Sequence, residues 1–138
     1  MNHLVLLGDS IFDNAAYVGN GLAVIQQVRN QLPDRWNATL LAVDDHTTVD
    51  VPRQLSHLPQ DLTHIVLSVG GNDALGCISR LEAPVGNVKQ GLIALTEIKR
   101  EFEVNYQELL SRLVALKKPL MVCTIYDAHS WGSFAEFP

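Results

Sequence analysis

Cysteine is nearly absent. Cys77 and Cys123 are too few for a disulfide framework, and two buried reduced thiols are the expectation. Basic residues are also scarce. Ten Lys and Arg, scattered along the chain, stand against fifteen Asp and Glu, for a formal net charge of -5. Nucleic acid is therefore excluded as a partner, because phosphate binding wants clustered Lys and Arg. Long apolar runs are missing as well, and none approaches the roughly 20 residues that span a bilayer. A leader peptide of ordinary length would carry away position 10, the residue of greatest chemical interest below, so a cytoplasmic protein is expected. Repeats, low-complexity tracts and linkers are absent, and residues 1–138 read as one domain with a real core.

What is present is an alternation of short apolar runs and longer helix-period segments. His3 to Leu7, Ala38 to Val43, Thr63 to Val69 and Pro119 to Tyr126 read as strands. Leu22 to Leu32, Val49 to Leu58 and Lys89 to Leu116 read as helices. The last carries Leu92, Leu95, Ile98, Phe102, Leu109, Leu113 and Leu116 along one stripe. Alternation of this kind implies a parallel sheet with helices on both faces. Ligands of such open sheets sit beyond the carboxyl ends of the strands.

Two of those strand ends carry chemistry. Leu7-Gly8-Asp9-Ser10 places a serine just past the first strand, where Gly8 permits a sharp turn. A serine there can offer both its hydroxyl and its backbone N–H to a carbonyl. Taken alone, Asp9 and Ser10 serve equally well as turn formers or an N-cap. Gly70-Gly71-Asn72-Asp73 follows the third strand on the same rim. The Asn72 amide is a neutral donor suited to an oxyanion, and the glycines permit close approach of a substrate. Asp73 reads as a loop organiser that accepts backbone hydrogen bonds.

Leu-Gly-Asp-Ser near the N-terminus and Val-Gly-Gly-Asn-Asp at residues 69–73 resemble the first and third sequence blocks of the SGNH/GDSL serine hydrolases. The resemblance runs in order to about residue 127. It implies a flavodoxin-like α/β/α fold with strand order 2-1-3-4-5, and hydrolysis of a small-molecule carboxylic ester through a Ser10 acyl-enzyme. It implies no metal and no cofactor. By the same resemblance Ser10 is the nucleophile, and the oxyanion hole draws on the Ser10 N–H, the Asn72 side chain and a glycine N–H after the second strand. Gly8, Asp9, Gly71 and Asp73 would support these groups. The Gly-x-Ser-x-Gly signature of α/β-hydrolases is absent.

The chain departs from that family at two places. The glycine position of the second block is Asp45, within Val43-Asp44-Asp45-His46-Thr47-Thr48. A positive φ there costs a non-glycine residue on the order of 1 kcal/mol, and a carboxylate beside a developing oxyanion opposes catalysis. The family's C-terminal Asp-x-x-His is also missing, so a truncated member without the fifth strand and final helix is expected. Asp61-Leu62-Thr63-His64 has the right spelling, but His64 opens the third strand on the rim opposite Ser10. His46 and His129 remain as surrogate bases. An inactive remnant or binding module that keeps the pocket is the alternative function. A phosphate-binding loop is a weaker third, since neither Gly-x-Gly-x-x-Gly nor a Walker motif is present. The apolar fourth strand, as an open edge, is expected to drive self-association. Size-exclusion chromatography at rising concentration checks this, and a clean monomer throughout would contradict it.

Overall fold

A computed structural model describes residues 1–125. The calls on Tyr126, His129 and the rest of the tail lie outside the described residues. The elements run β1 (Asn2–Gly8), α1 (Val24–Gln31), β2 (Trp36–Leu40), α2 (Val51–Leu55), β3 (His64–Ser68), α3 (Gly71–Gly76), α4 (Ile78–Leu81), α5 (Val88–Ala115) and β4 (Leu120–Val122). Every strand pairing is parallel, and the sheet order is β2-β1-β3-β4. The expected parallel α/β sheet and its strand order are what the chain forms.

The continuous apolar runs arise because both faces of the sheet are covered. Side chains alternate faces along a strand. Val5 and Leu7 of β1, with Ile65 and Leu67 of β3, join Val51 of α2 and Leu109 and Leu113 of α5 in one buried cluster. Leu6 of β1 faces the other way and packs with Ala38, Ile25 of α1, Ala42 and Phe12. Three layers follow, with α2 and α5 on one face and α1 on the other.

Several boundaries differ from expectation. β2 begins at Trp36 and ends at Leu40 instead of running from Ala38 to Val43. Its ladder stops because the N–H groups of Leu41 and Ala42 both donate to the Leu6 carbonyl, at 2.9 and 3.0 Å, so the register breaks there. α1 starts at Val24, leaving Leu22 outside and half exposed, because Gln26 folds back to accept from the Ala23 N–H at 2.9 Å. α2 is a single turn opened by Pro52, shorter than the expected Val49 to Leu58. β4 spans three residues, so the long apolar edge expected up to Tyr126 narrows to Leu120–Val122 among the described residues. The α5 stripe is used at one end only. Leu109 and Leu113 are fully buried, whereas Leu92 and Leu95 are exposed, since the helix outruns the sheet it packs on.

Candidate functional site

The carboxyl ends of β1 and β3 and the loop after β2 meet at a cleft of about 490 Å³. Ser10, Asp45 and Asn72 all line it, so three of the residues singled out by sequence share one cavity. Ile11 and Leu75 supply its apolar wall.

Ser10 stands on the turn that closes β1. Gly8 has φ 130, and a Cβ there would lie 1.8 Å from the Ser68 carbonyl oxygen, so only glycine lets β1 approach β3 this closely. The turn then tightens as Asp9 donates its N–H to Ser68 at 3.1 Å and its carbonyl accepts from Phe12 and Asp13. The Asp9 side chain, 3 % exposed, accepts from the Ile11 N–H at 3.0 Å.

Asn72 enters from α3. Asp73 is expected to organise a loop, whereas a short helix begins at Gly71 with Gly70 as its N-cap at φ 127. Asn72 donates one amide hydrogen to the His46 carbonyl at 3.0 Å, which fixes the amide and leaves its second hydrogen for a ligand. Asp73 accepts from the Thr48 N–H at 3.0 Å and from the Thr48 hydroxyl at 2.6 Å, tying α3 to the loop after β2.

Asp45 adopts φ 63, the left-handed conformation that its glycine-like position demands. Its N–H is already engaged, donating to Oδ1 of Asp44 at 2.9 Å. The other Asp44 oxygen accepts from the Tyr17 hydroxyl at 2.5 Å. This contact pushes the Tyr17 phenol above its ordinary value, with burial and the neighbouring carboxylates acting the same way. The Asp44 N–H in turn donates to Asp13 at 3.0 Å.

Carboxylates thus gather around the turn, and burial foremost pushes the Asp9 carboxyl above the ordinary aspartate range. The Ile11 N–H opposes that shift, while the charges of Asp73 and Asp44 add to it. Its folded pKa exceeds its unfolded one, so the associated stability is complete at acid pH and fades as pH rises through the folded value. Asp9→Asn keeps an acceptor for Ile11 and removes the buried charge. It is expected to raise Tm at pH 7, the gain shrinking as pH falls toward the unfolded value. A gain that stays constant down to pH 3 would contradict this account.

The histidines of the described residues do not present a base to Ser10. His46 is beside the site, but its Nδ1 accepts from Nε2 of Gln54 at 2.9 Å, which places the neutral ring's proton on Nε2. His64 lies at the opposite rim, where it bonds Thr63 and packs on Trp36 with ring centroids 4.7 Å apart. Asp61, its partner by spelling, pairs instead with His3 at 2.8 Å. His3 is buried and holds Thr39 at 2.7 Å through its other nitrogen, tying the amino end of β1 to the neighbouring strand β2. His57 is exposed after α2, against Arg53 and Ser56. His129 lies outside the described residues.

Sequence reasoning missed Gln54. It is 3 % exposed, and its amide brackets the Gly8 peptide, Oε1 accepting from the N–H at 2.9 Å and Nε2 donating to the carbonyl at 2.7 Å. The available signal was its spacing, since a polar residue three places after Val51 falls on the inward face of α2.

No protein-family model matches the chain, and no curated protein matches it in sequence. Solved structures do. The psychrotrophic esterase EstA from Pseudoalteromonas sp., in a structure inhibited by monoethylphosphonate, is similar at 18% identity and a TM-score of 0.61. The match covers 96% of this chain and 64% of that one. An acetyl xylan esterase, AlAXEase, is similar at 17% identity and a TM-score of 0.60, over 96% of this chain and 65% of its own. An extracellular lipase from Streptomyces rimosus gives 15% identity and a TM-score of 0.52, over 96% and 66%. The chain therefore spans a little under two thirds of the length of these structures, 64 to 66%. Identity this low speaks for architecture alone: the chain has the SGNH-like α/β fold in which these esterases and this lipase are built.

Proposed function

We propose that the cleft is the acyl-transfer site of a carboxylic-ester hydrolase, with Ser10 as nucleophile. The observation that carries this reading is the convergence of Ser10, Asn72 and Asp45 on one cavity at the carboxyl edge of the sheet. The fold shared with two esterases and a lipase supports it.

In this reading the Ser10 Oγ attacks the ester carbonyl, and the oxyanion is received by the Ser10 N–H and the uncommitted hydrogen of the Asn72 amide. The alcohol leaves, and water then releases the acid from the acyl-enzyme. The proton of Ser10 needs a base; His46 has its Nδ1 committed to Gln54, and among the described residues no side chain is hydrogen-bonded to the Ser10 hydroxyl. SGNH/GDSL hydrolases, which the sequence resembles, take that base from a C-terminal Asp-x-x-His.

One observation favours a second reading, a pocket that binds a carbonyl ligand without turnover. The Asp45 N–H, third donor of the resemblance, is capped by the Asp44 carboxylate, which sets negative charge where an oxyanion would form. A fluorophosphonate probe separates the two. Phosphonate chemistry suits the test because one solved neighbour is an esterase inhibited by a phosphonate. The hydrolase reading expects a single covalent adduct, mapped by mass spectrometry to Ser10. Reversible binding of an ester without any adduct would favour the second reading, and an adduct confined to another residue would sink the first.

A further inference from the structure

We infer that Gln54 is the positioning residue of this site, holding the turn that bears Ser10 and the loop that bears Asp45 and His46 in one register. The functional half of this inference rests on the ester-hydrolase reading, whereas its geometric half does not.

The orientation of the Gln54 amide follows from its partners. A backbone N–H can only donate, so the oxygen of Gln54 must face the Gly8 nitrogen, where it accepts at 2.9 Å. Its nitrogen then faces two acceptors, the Gly8 carbonyl at 2.7 Å and Nδ1 of His46 at 2.9 Å. Both amide hydrogens are thereby used, which is what an amide 3 % exposed requires. Gly8 lies two residues before Ser10 in the same turn. His46 follows Asp45 directly, and its carbonyl accepts from Asn72 at 3.0 Å. A continuous hydrogen-bonded path therefore runs from the peptide beneath the nucleophile, through Gln54 and His46, to the oxyanion donor on α3.

The path joins three separate segments, the end of β1, the loop after β2 and helix α3, and helix α2 supplies its centre. Val51, on the same face of that single turn, is fully buried and anchors it. Gln54 is not among the residues that line the cleft and bonds Gly8 and His46, so it acts by placing others. It also dictates the tautomer of His46, whose Nε2 carries the proton as long as Nδ1 receives one from Gln54.

The test uses the full chain with Gln54→Met, of similar length and without an amide, and Gln54→Glu, which keeps an acceptor for Gly8 but cannot donate. In the wild type, ¹⁵N NMR of the imidazoles at neutral pH is expected to show His46 as a single tautomer protonated at Nε2. Both variants are expected to lose that signature and to shift the side-chain amide resonances of Asn72. Fluorophosphonate labelling of Ser10 is expected to slow by about 10- to 100-fold in both, as for a small misplacement of reacting groups. Leu113→Ala, a core change on α5 that touches neither the cleft lining nor the Gln54 hydrogen bonds, controls for lost stability alone. Unchanged His46 and Asn72 signals in Gln54→Met would overturn the inference, and so would labelling slowed no more than in Leu113→Ala. If the wild type is not labelled at all, the hydrolase reading fails, and the His46 and Asn72 signals alone decide whether Gln54 positions the site.

Discussion

Alanine in place of Gly8 is expected to destabilise the protein by about 2 to 6 kcal/mol, adding a backbone strain of 1 to 3 to an overpacking cost of similar size. The strain arises because φ 130 lies outside the range of an alanine. The overpacking arises because the new Cβ would stand 1.8 Å from the oxygen and 2.7 Å from the carbon of the Ser68 carbonyl. Both are backbone atoms, so no rotamer change relieves the clash and the β1–β3 ladder must open. Opening it also pulls the Gly8 peptide away from Gln54, stranding a buried amide. Against a total stability of about 5 to 15 kcal/mol for a domain, this is a large fraction. Urea and thermal unfolding by circular dichroism measure it. Gly19→Ala is the control, because φ 54 there meets nothing within 4 Å and the cost should stay near 1 kcal/mol. Equal stability of the two variants would show that the close approach of β1 and β3 at Gly8 is wrong.

Ser10→Ala is expected to remove fluorophosphonate labelling entirely and to leave Tm nearly unchanged, since Ser10 is only half-buried. The turnover of p-nitrophenyl acetate by the wild type is a sharper matter. A serine without a base loses about 10⁴ to 10⁶ in rate relative to a complete site. An oxyanion hole by itself retains roughly 10³ to 10⁴ over water, and the Asp45 N–H, a donor of that hole by the resemblance, is capped by Asp44. The expected result is slow hydrolysis by the wild type, falling to the level of a non-enzymatic blank in Ser10→Ala. Rapid turnover that vanishes both in Ser10→Ala and in His129→Ala would locate the base at His129 and overturn the expectation of slow turnover. Hydrolysis untouched by Ser10→Ala would remove Ser10 from the mechanism.

The parts of the fold legible in the sequence were those written in a local apolar period. The expected strand from His3 to Leu7 is Asn2–Gly8, and that from Thr63 to Val69 is His64–Ser68. The long helix, expected over Lys89 to Leu116, is Val88–Ala115. Segments governed by single polar contacts were less legible. The start of α1 depends on the fold-back of Gln26, and the end of β2 on two N–H groups sharing the Leu6 carbonyl. Helix α3 falls where a loop is expected, because glycine and asparagine are poor helix formers. Its geometry is set by Gly70, where a Cβ would meet Ile125 at 2.5 Å.

By itself, then, the sequence determined that apolar runs of strand length alternate with helices, and water's exclusion from apolar surface turns that pattern into a parallel sheet covered on both faces. It also placed Ser10 and Asn72 at the carboxyl ends of two neighbouring strands, which the sheet order alone brings to one rim. Only the tertiary structure decided how the polar groups pair there. Gln54 reaches Gly8 across 46 positions of chain, Asp73 reaches Thr48 across 25, and Asn72 reaches His46 across 26. No periodicity encodes such pairs, because hydrogen bonding is short-ranged and directional and its partners are chosen after the strands have packed. The same packing committed the Nδ1 of His46 and capped the Asp45 N–H, two facts on which the chemistry of Ser10 turns.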